Sequence, residues 1–177
     1  MTSRKTFALA AVAVAGAGIL ALPVRAGGDK VSFPTTYATG VLYATVDRAD
    51  TKQFRELYGS QAAIDAAKAG QPLPSGTVLT MVSYAAKLGA DGSPEKDANG
   101  RFIKTNLVGI AVMEKRTGWG TEYADNIRNG EWEYQAFTPD QKINDKANLS
   151  ACFNCHKPKD KDDFTFSYDR LKSYAKK

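Results

Sequence analysis

Both cysteines and the single histidine of this chain fall within five consecutive positions, Cys152-Phe153-Asn154-Cys155-His156. In the pattern C-x-x-C-H, the two thiols can form thioethers with the vinyl groups of a haem, and the adjacent imidazole can bind its iron. A chain this poor in cysteine and histidine would rarely acquire that order by chance. The sequence therefore predicts one covalently attached haem c, anchored by Cys152 and Cys155, with His156 as the metal ligand.

Three other interpretations of this pentapeptide are weaker on chemical grounds. A thioredoxin-like C-x-x-C needs no histidine and normally opens a helix near the start of a βαβ unit, whereas this motif lies near the C-terminus. A disulfide across so short a loop would restrict the unfolded chain very little. A zinc site would need a fourth strong ligand, and the chain contains no further cysteine or histidine.

The second axial position of the haem decides the expected function, and no other histidine exists to fill it. Met81 or Met113 could supply a thioether, which would close the iron and make an electron carrier. A methionine on a strand is, however, more often a residue that fills a gap in the core. An iron left open would instead bind a small ligand, selected by the groups around it.

The first 26 residues have the features of a secretory signal peptide. Arg4 and Lys5 precede an apolar stretch from Phe7 to Leu22, and small residues end the segment at Ala26. An uncleaved membrane anchor is the alternative, but the stretch is short for a hydrocarbon core of ~30 Å. We expect cleavage to leave residues 27–177 as a single domain in the periplasm, without a membrane attachment.

The charge pattern limits the classes of partner. The predicted signal peptide holds three basic residues and no acidic ones, so its removal lowers the net charge from +5 to +2. No dense basic patch interleaved with aromatic residues is visible, and we expect no nucleic-acid partner. The run from Lys157 to Asp163 alternates in sign, which predicts a solvated loop.

Hydrophobic periodicity and turn residues predict an α+β fold, with an antiparallel sheet that dominates one domain and helices beside it. The 43% apolar content is sufficient for a buried core. Asp91-Gly92 and Asn99-Gly100 predict turns in a long polar hairpin. The predicted strands are 53–58, 77–84, 107–115 and a half-buried 131–137. Helical segments are predicted at 60–69, with Ser60 as the cap, and within 148–157 and 168–174.

From about residue 33 to its end, the chain resembles the cytochrome P-460 family, which includes the cytochromes c′-beta. The resemblance lies in the order of features: Phe54-Arg55-Glu56-Leu57-Tyr58, the Pro-x-Pro-Ser-Gly-Thr-Val entry at 72–78, the aromatic strand at 131–137, and the haem motif followed by Lys157 and Phe164-Thr165-Phe166. It implies a sheet-dominated monohaem protein, commonly a homodimer. Members either oxidise hydroxylamine or bind nitric oxide and related small ligands.

The resemblance also implies two groups that hydroxylamine oxidation requires. Oxidising members have a lysine bonded to the porphyrin edge, and the matching position here is Met81, or Lys87 if the alignment is shifted. They also place a carboxylate directly before the first haem cysteine, where this chain has Ala151. Both departures point away from efficient hydroxylamine oxidation, so whether the chain is an enzyme stays open.

Arg55 matches an arginine of the family's distal pocket, where a cation could hydrogen-bond a bound ligand; the alternative is a solvated strand charge paired with Glu56 or a neighbour. Three glutamates could replace the missing carboxylate only if the fold aims one at the haem: Glu114, Glu131 and Glu133. We therefore expect an exported monohaem c-type cytochrome that binds or converts nitric oxide or hydroxylamine, with Arg55 and Met81 as distal candidates. The alternative is a His/Met-ligated electron-transfer cytochrome, and the redox partner is unknown.

Overall fold

The computed structural model describes residues 30–176, and in that part of the chain five strands form one antiparallel sheet with three α-helices beside it. Strands that follow one another in sequence are neighbours in the sheet, so the topology is an up-and-down meander. The strands are β1 (Val41–Arg48), β2 (Gln53–Gly59), β3 (Val78–Ala86), β4 (Lys104–Lys115) and β5 (Trp132–Phe137). The helices are α1 (Gln61–Lys68), α2 (Leu149–His156) and α3 (Tyr168–Lys172), with short 3₁₀ helices at Tyr37–Thr39 and Lys157–Asp162. The predicted α+β, sheet-dominated domain is confirmed.

The predicted signal peptide, residues 1–26, lies outside the described residues. Between residues 30 and 176, no helix combines the length and the apolar character that crossing a membrane requires.

Strand alternation divides the sheet into two faces with separate cores. One face packs against all three helices, and its core contains Leu57, Leu79, Met113, Tyr134, Ile64, Phe153 and Leu171. The other face packs against the segment before β1, and its core contains Val82, Ile110, Val112, Phe137, Val31 and Phe33. We call the first the helical face. The register places Met81 of β3 between Leu57 of β2 and Ala111 of β4, so all three lie on this face.

Local signals account for α1 and for the hairpin turns. The Ser60 hydroxyl accepts a hydrogen bond from the Ala63 N–H at 3.2 Å, which confirms the predicted N-cap. Gly92 and Gly100 both have φ of 76°, in the left-handed region that glycine adopts without steric cost. Both predicted turns therefore form between β3 and β4.

Two strands differ from the sequence prediction. β1 was not predicted, although it contains Val41, Tyr43, Thr45 and Val46, residue types that are enriched in strands. The prediction that 131–137 is half buried was wrong, because β5 is buried at every position except Ala136. Tyr134 packs under the helices, while Glu133 on the opposite face is buried beside Tyr123. Both faces of β5 are covered by segments distant in sequence. Its burial therefore does not alternate along the strand, and the polar residues in its sequence did not indicate this.

The prediction of a solvated loop from Lys157 to Asp163 was wrong in two respects. Lys157–Asp162 forms a 3₁₀ helix, and the side chain of the following Asp163 is largely buried. Its carboxylate accepts hydrogen bonds from the Leu73 N–H at 2.8 Å and from the Lys115 ammonium at 2.9 Å. Alternating charge could not reveal this, since both partners are distant in sequence.

Candidate haem-binding site

A cavity of about 580 Å³ lies between α2 and the helical face of the sheet. Cys152, Cys155 and His156 reach it from the same side of α2, because residues at i, i+3 and i+4 share one helix face. The sheet contributes mainly apolar side chains: Val46, Leu57, Leu79, Met81, Ala111, Met113 and Tyr134. The structure therefore brings the three residues of the predicted haem motif together, facing an apolar wall.

The imidazole of His156 is oriented by contacts from outside the motif. Its Nδ1 lies 2.7 Å from the backbone oxygen of Phe164, and because a carbonyl can only accept, Nδ1 carries the hydrogen. The ring packs between Tyr134 and Phe166, with centroid distances of 5.0 and 5.1 Å. This tautomer leaves Nε2 with a free lone pair, the arrangement found in histidines that bind metals.

Burial keeps His156 in the form that a metal ligand requires. Removal from water lowers the pKa of the imidazole below its usual value, and the hydrogen bond to Phe164 only partly opposes this. The ring is therefore neutral at pH 7, and Nε2 can donate its lone pair without first losing a proton.

The two cysteines fit haem attachment better than the other chemistries considered for this motif. Burial, with a smaller contribution from Cys155, raises the pKa of the Cys152 thiol, whereas a thioredoxin-like nucleophile has a lowered pKa. Both cysteines carry free thiols, and Cys155 is exposed. Over residues 30–176, no group of three or more His, Cys, Asp or Glu side chains could hold a bare metal ion. Two thiols, a free imidazole Nε2 and an apolar cavity together match what a covalently held haem needs.

α2 is fixed to the sheet by the residue between the two cysteines. Phe153 is 1% exposed, and its ring contacts Tyr123 and Tyr134 edge-on at centroid distances of 5.1 and 4.8 Å. The Asn129 side-chain amide donates hydrogen bonds to the Phe153 carbonyl and to the Tyr134 hydroxyl, both at 3.0 Å. Sequence reasoning missed Asn129, which carries no local signal. For Phe153, the large aromatic side chain between the two cysteines could have predicted a buried contact.

Arg55 lines the cavity from β2 and is half buried. Its guanidinium donates to the Gln53 side-chain oxygen at 2.9 and 3.2 Å, and within residues 30–176 it forms no ion pair with a carboxylate. Burial lowers the pKa of Arg55, and the nearby Arg48 adds to this, but arginine remains charged at neutral pH. The alternative pairing with Glu56 does not occur, because Glu56 accepts from Lys104 and Tyr58 on the other face of the sheet. An arginine without a carboxylate partner at a cavity wall favours a polar or anionic ligand.

The other residues proposed from the sequence differ in whether they line the cavity. Met81 and Met113 both line the cavity, as do Arg48 and Arg170. Lys87 lies outside the set of lining residues and pairs with Glu95 at 2.6 Å. Ala151 is exposed and is not a lining residue either.

None of the three candidate glutamates replaces a carboxylate in the cavity. Glu133 accepts from the Tyr123 hydroxyl, Glu114 from Arg116, and Glu131 from the Gly118 N–H. Glu114 and Glu133 are register partners on the sheet face opposite the cavity. Of the lining residues in the described part of the chain, none is an aspartate or a glutamate.

Comparisons with known proteins agree with this geometry. A family model described as Cytochrome P460 matches residues 34–167, which is more than half of the chain. The match spans the cavity-lining residues from Tyr43 to Ser167, including Arg55, Met81 and the haem motif. The search of curated proteins found no match.

Proposed function

The chain belongs to the cytochrome P460 family of haem proteins, and we propose that it is an exported c-type cytochrome with one haem, which binds small nitrogenous ligands such as nitric oxide. One observation carries this proposal: a single cavity combines His156, held by the Phe164 carbonyl, with Arg55, which has no carboxylate partner among residues 30–176. The oriented imidazole of His156 is suited to bind a metal. The guanidinium of Arg55 is suited to donate hydrogen bonds to a ligand bound in the cavity.

The residues divide into four roles. Cys152 and Cys155 would hold the haem covalently, and His156 would bind its iron through Nε2. When bound, the haem supplies an iron with a position at which a small ligand can coordinate. Arg55 donates hydrogen bonds into the cavity, and the apolar side chains of the helical face keep water out.

Ligand binding is favoured over hydroxylamine oxidation. Oxidation releases protons, so a base is needed near the ligand. The described residues that line the cavity include no carboxylate. Met81 and Ala151 also stand where the family resemblance implies a cross-linking lysine and a carboxylate in oxidising members.

A second function, electron transfer, is favoured by the two methionines. Met81 and Met113 line the same cavity as His156. If either thioether bound the iron, the second axial position would be closed, and the protein would carry electrons rather than ligands.

The absorption spectrum of the purified, haem-loaded protein tests both functions. We expect a high-spin spectrum that changes when nitric oxide is added without oxygen. A low-spin spectrum that nitric oxide leaves unchanged would overturn ligand binding. If Met81→Leu or Met113→Leu then converted that spectrum to high-spin, the altered residue would be the ligand of an electron carrier.

Export and self-association also form part of this proposal. The signal-like pattern of residues 1–26 supports export to the periplasm. The family resemblance supports a homodimer, with the redox partner of the haem unidentified.

A further inference from the structure

The carbonyl that accepts the His156 hydrogen bond belongs to an unusual turn. Asp163 and Phe164 have φ of 49° and 56°, the left-handed region that residues with side chains rarely adopt. Successive residues in this conformation persist only where surrounding contacts hold them. The Phe164 oxygen lies 2.7 Å from His156 Nδ1, so the backbone conformation of this turn determines the position of the carbonyl that accepts the hydrogen bond.

Asp163 holds the turn through its side chain. The carboxylate receives the Lys115 ammonium at 2.9 and 3.0 Å and the Leu73 N–H at 2.8 Å. The side chains of Lys115 and Asp163 are only 11% and 12% exposed. A desolvated ion pair with a further hydrogen bond is strongly directional, so it can fix a backbone conformation that the residue would otherwise leave.

Lys115 is itself anchored to the sheet. It ends β4 opposite Trp132, and its ammonium lies 5.7 Å from the centre of the indole ring. Its N–H donates to the Thr77 carbonyl, and its own carbonyl accepts from the Gly76 N–H. Through Lys115, the turn is therefore fixed to the same sheet that forms the apolar wall of the cavity.

We infer that the buried Lys115–Asp163 pair positions His156: it holds the Phe164 carbonyl against Nδ1 and so sets how strongly the imidazole donates to iron. This inference rests on the proposed function, since it needs His156 as the iron ligand. A short Nδ1–H···O bond makes the imidazole a stronger donor, which favours ferric over ferrous iron. Without the pair, the turn can relax and the bond lengthens.

Three variants of the full, haem-loaded chain test this: Lys115→Met, Asp163→Asn and the conservative Lys115→Arg. In the first two we expect the iron–histidine stretching frequency of the ferrous protein to fall and the reduction potential to rise. Lys115→Arg should keep both near the wild-type values. Charge acting through space would instead lower the potential in Lys115→Met and raise it in Asp163→Asn. If the reduction potential shifts in opposite directions in Lys115→Met and Asp163→Asn, the positioning role is therefore overturned.

A matched control is the Lys104–Glu56 pair on the other face of the sheet. Lys104→Met should lower thermal stability while leaving frequency and potential unchanged. If Lys115→Met and Asp163→Asn behave in the same way, the pair is only structural and the inference is wrong. The double variant Lys115→Met/Asp163→Asn is expected to match the two single variants, and it decides the question if one of them fails to fold. If wild-type haem were not bound through His156, the proposed function would fail instead.

Discussion

Arg48 and Arg55 line the same cavity but differ in the partners that accept their hydrogen bonds. Arg48 pairs with the Asp50 carboxylate at 2.6 and 2.9 Å, whereas Arg55 donates only to the neutral amide of Gln53. Of these two arginines, Arg55 is therefore the one whose donors a ligand would complement more. The difference depends on single side chains, because both arginines lie on the helical face of neighbouring strands.

Replacing Arg55 with leucine should speed the dissociation of nitric oxide by about 10- to 150-fold, since a hydrogen bond from a charged donor contributes roughly 1.5–3 kcal/mol. The measurement is the dissociation rate of the haem-bound ligand. Arg48→Leu is the control, and its rate should stay close to the wild-type value. Equal rates in the wild-type and Arg55→Leu proteins would mean that Arg55 does not contact the ligand.

At the scale of elements, α2 is short and has little amphipathic character of its own, so tertiary contacts must hold it. Phe153 is its one buried side chain, and Asn129, in the loop before β5, donates a hydrogen bond to the Phe153 backbone carbonyl. Isolated helices of this length are marginal in water. The haem motif is therefore presented by an element whose position depends on contacts with β5.

Phe153→Ala should lower the free energy of unfolding by about 3–5 kcal/mol, because it opens a cavity between Tyr123 and Tyr134. Denaturant unfolding of the haem-loaded protein measures this. Phe166→Ala is the matched aromatic control: this residue is 55% exposed, and the loss should be well below that of Phe153→Ala. Similar losses for the two variants would contradict the anchoring role of Phe153.

At the scale of the whole molecule, the cavity lies between the sheet and the helices that pack on one of its faces. The sheet supplies one wall of the cavity, and α2 supplies Cys152, Cys155 and His156. The turn at Asp163 and Phe164 links the two, because Asp163 pairs with Lys115 of the sheet and Phe164 accepts from His156. The site is thus built from segments that only the folded chain brings together.

Intact mass of the exported protein tests the whole-molecule proposal. We expect a chain of residues 27–177 plus the mass of one haem that survives denaturation. The Cys152→Ala/Cys155→Ala double variant should be cleaved at the same place but carry no covalent haem. Covalent haem in that variant would show that the attachment residues were assigned wrongly, and an uncleaved N-terminus would contradict the signal peptide.

Much of this protein could be predicted from short-range patterns. The C-x-x-C-H spacing places three ligand-type residues on one helix face, Ser60 caps α1, and runs of β-branched residues indicate most of the strands. Each of these signals is local, because the residues that matter are within a few positions of one another.

Only the tertiary structure decided which groups reach the site and how they are held. Lys115 and Asp163 are separated by 48 positions, and no periodicity links them. Glu114 and Glu133 were candidates until the register placed them on the sheet face opposite the cavity, while Arg55 proved to face it. The sequence by itself determined that two thiols and one imidazole stand at haem-motif spacing, since that depends only on adjacent residues. The fold decided the orientation of His156, because its carbonyl partner and its packing partners meet it only when the strands and the turn have assembled.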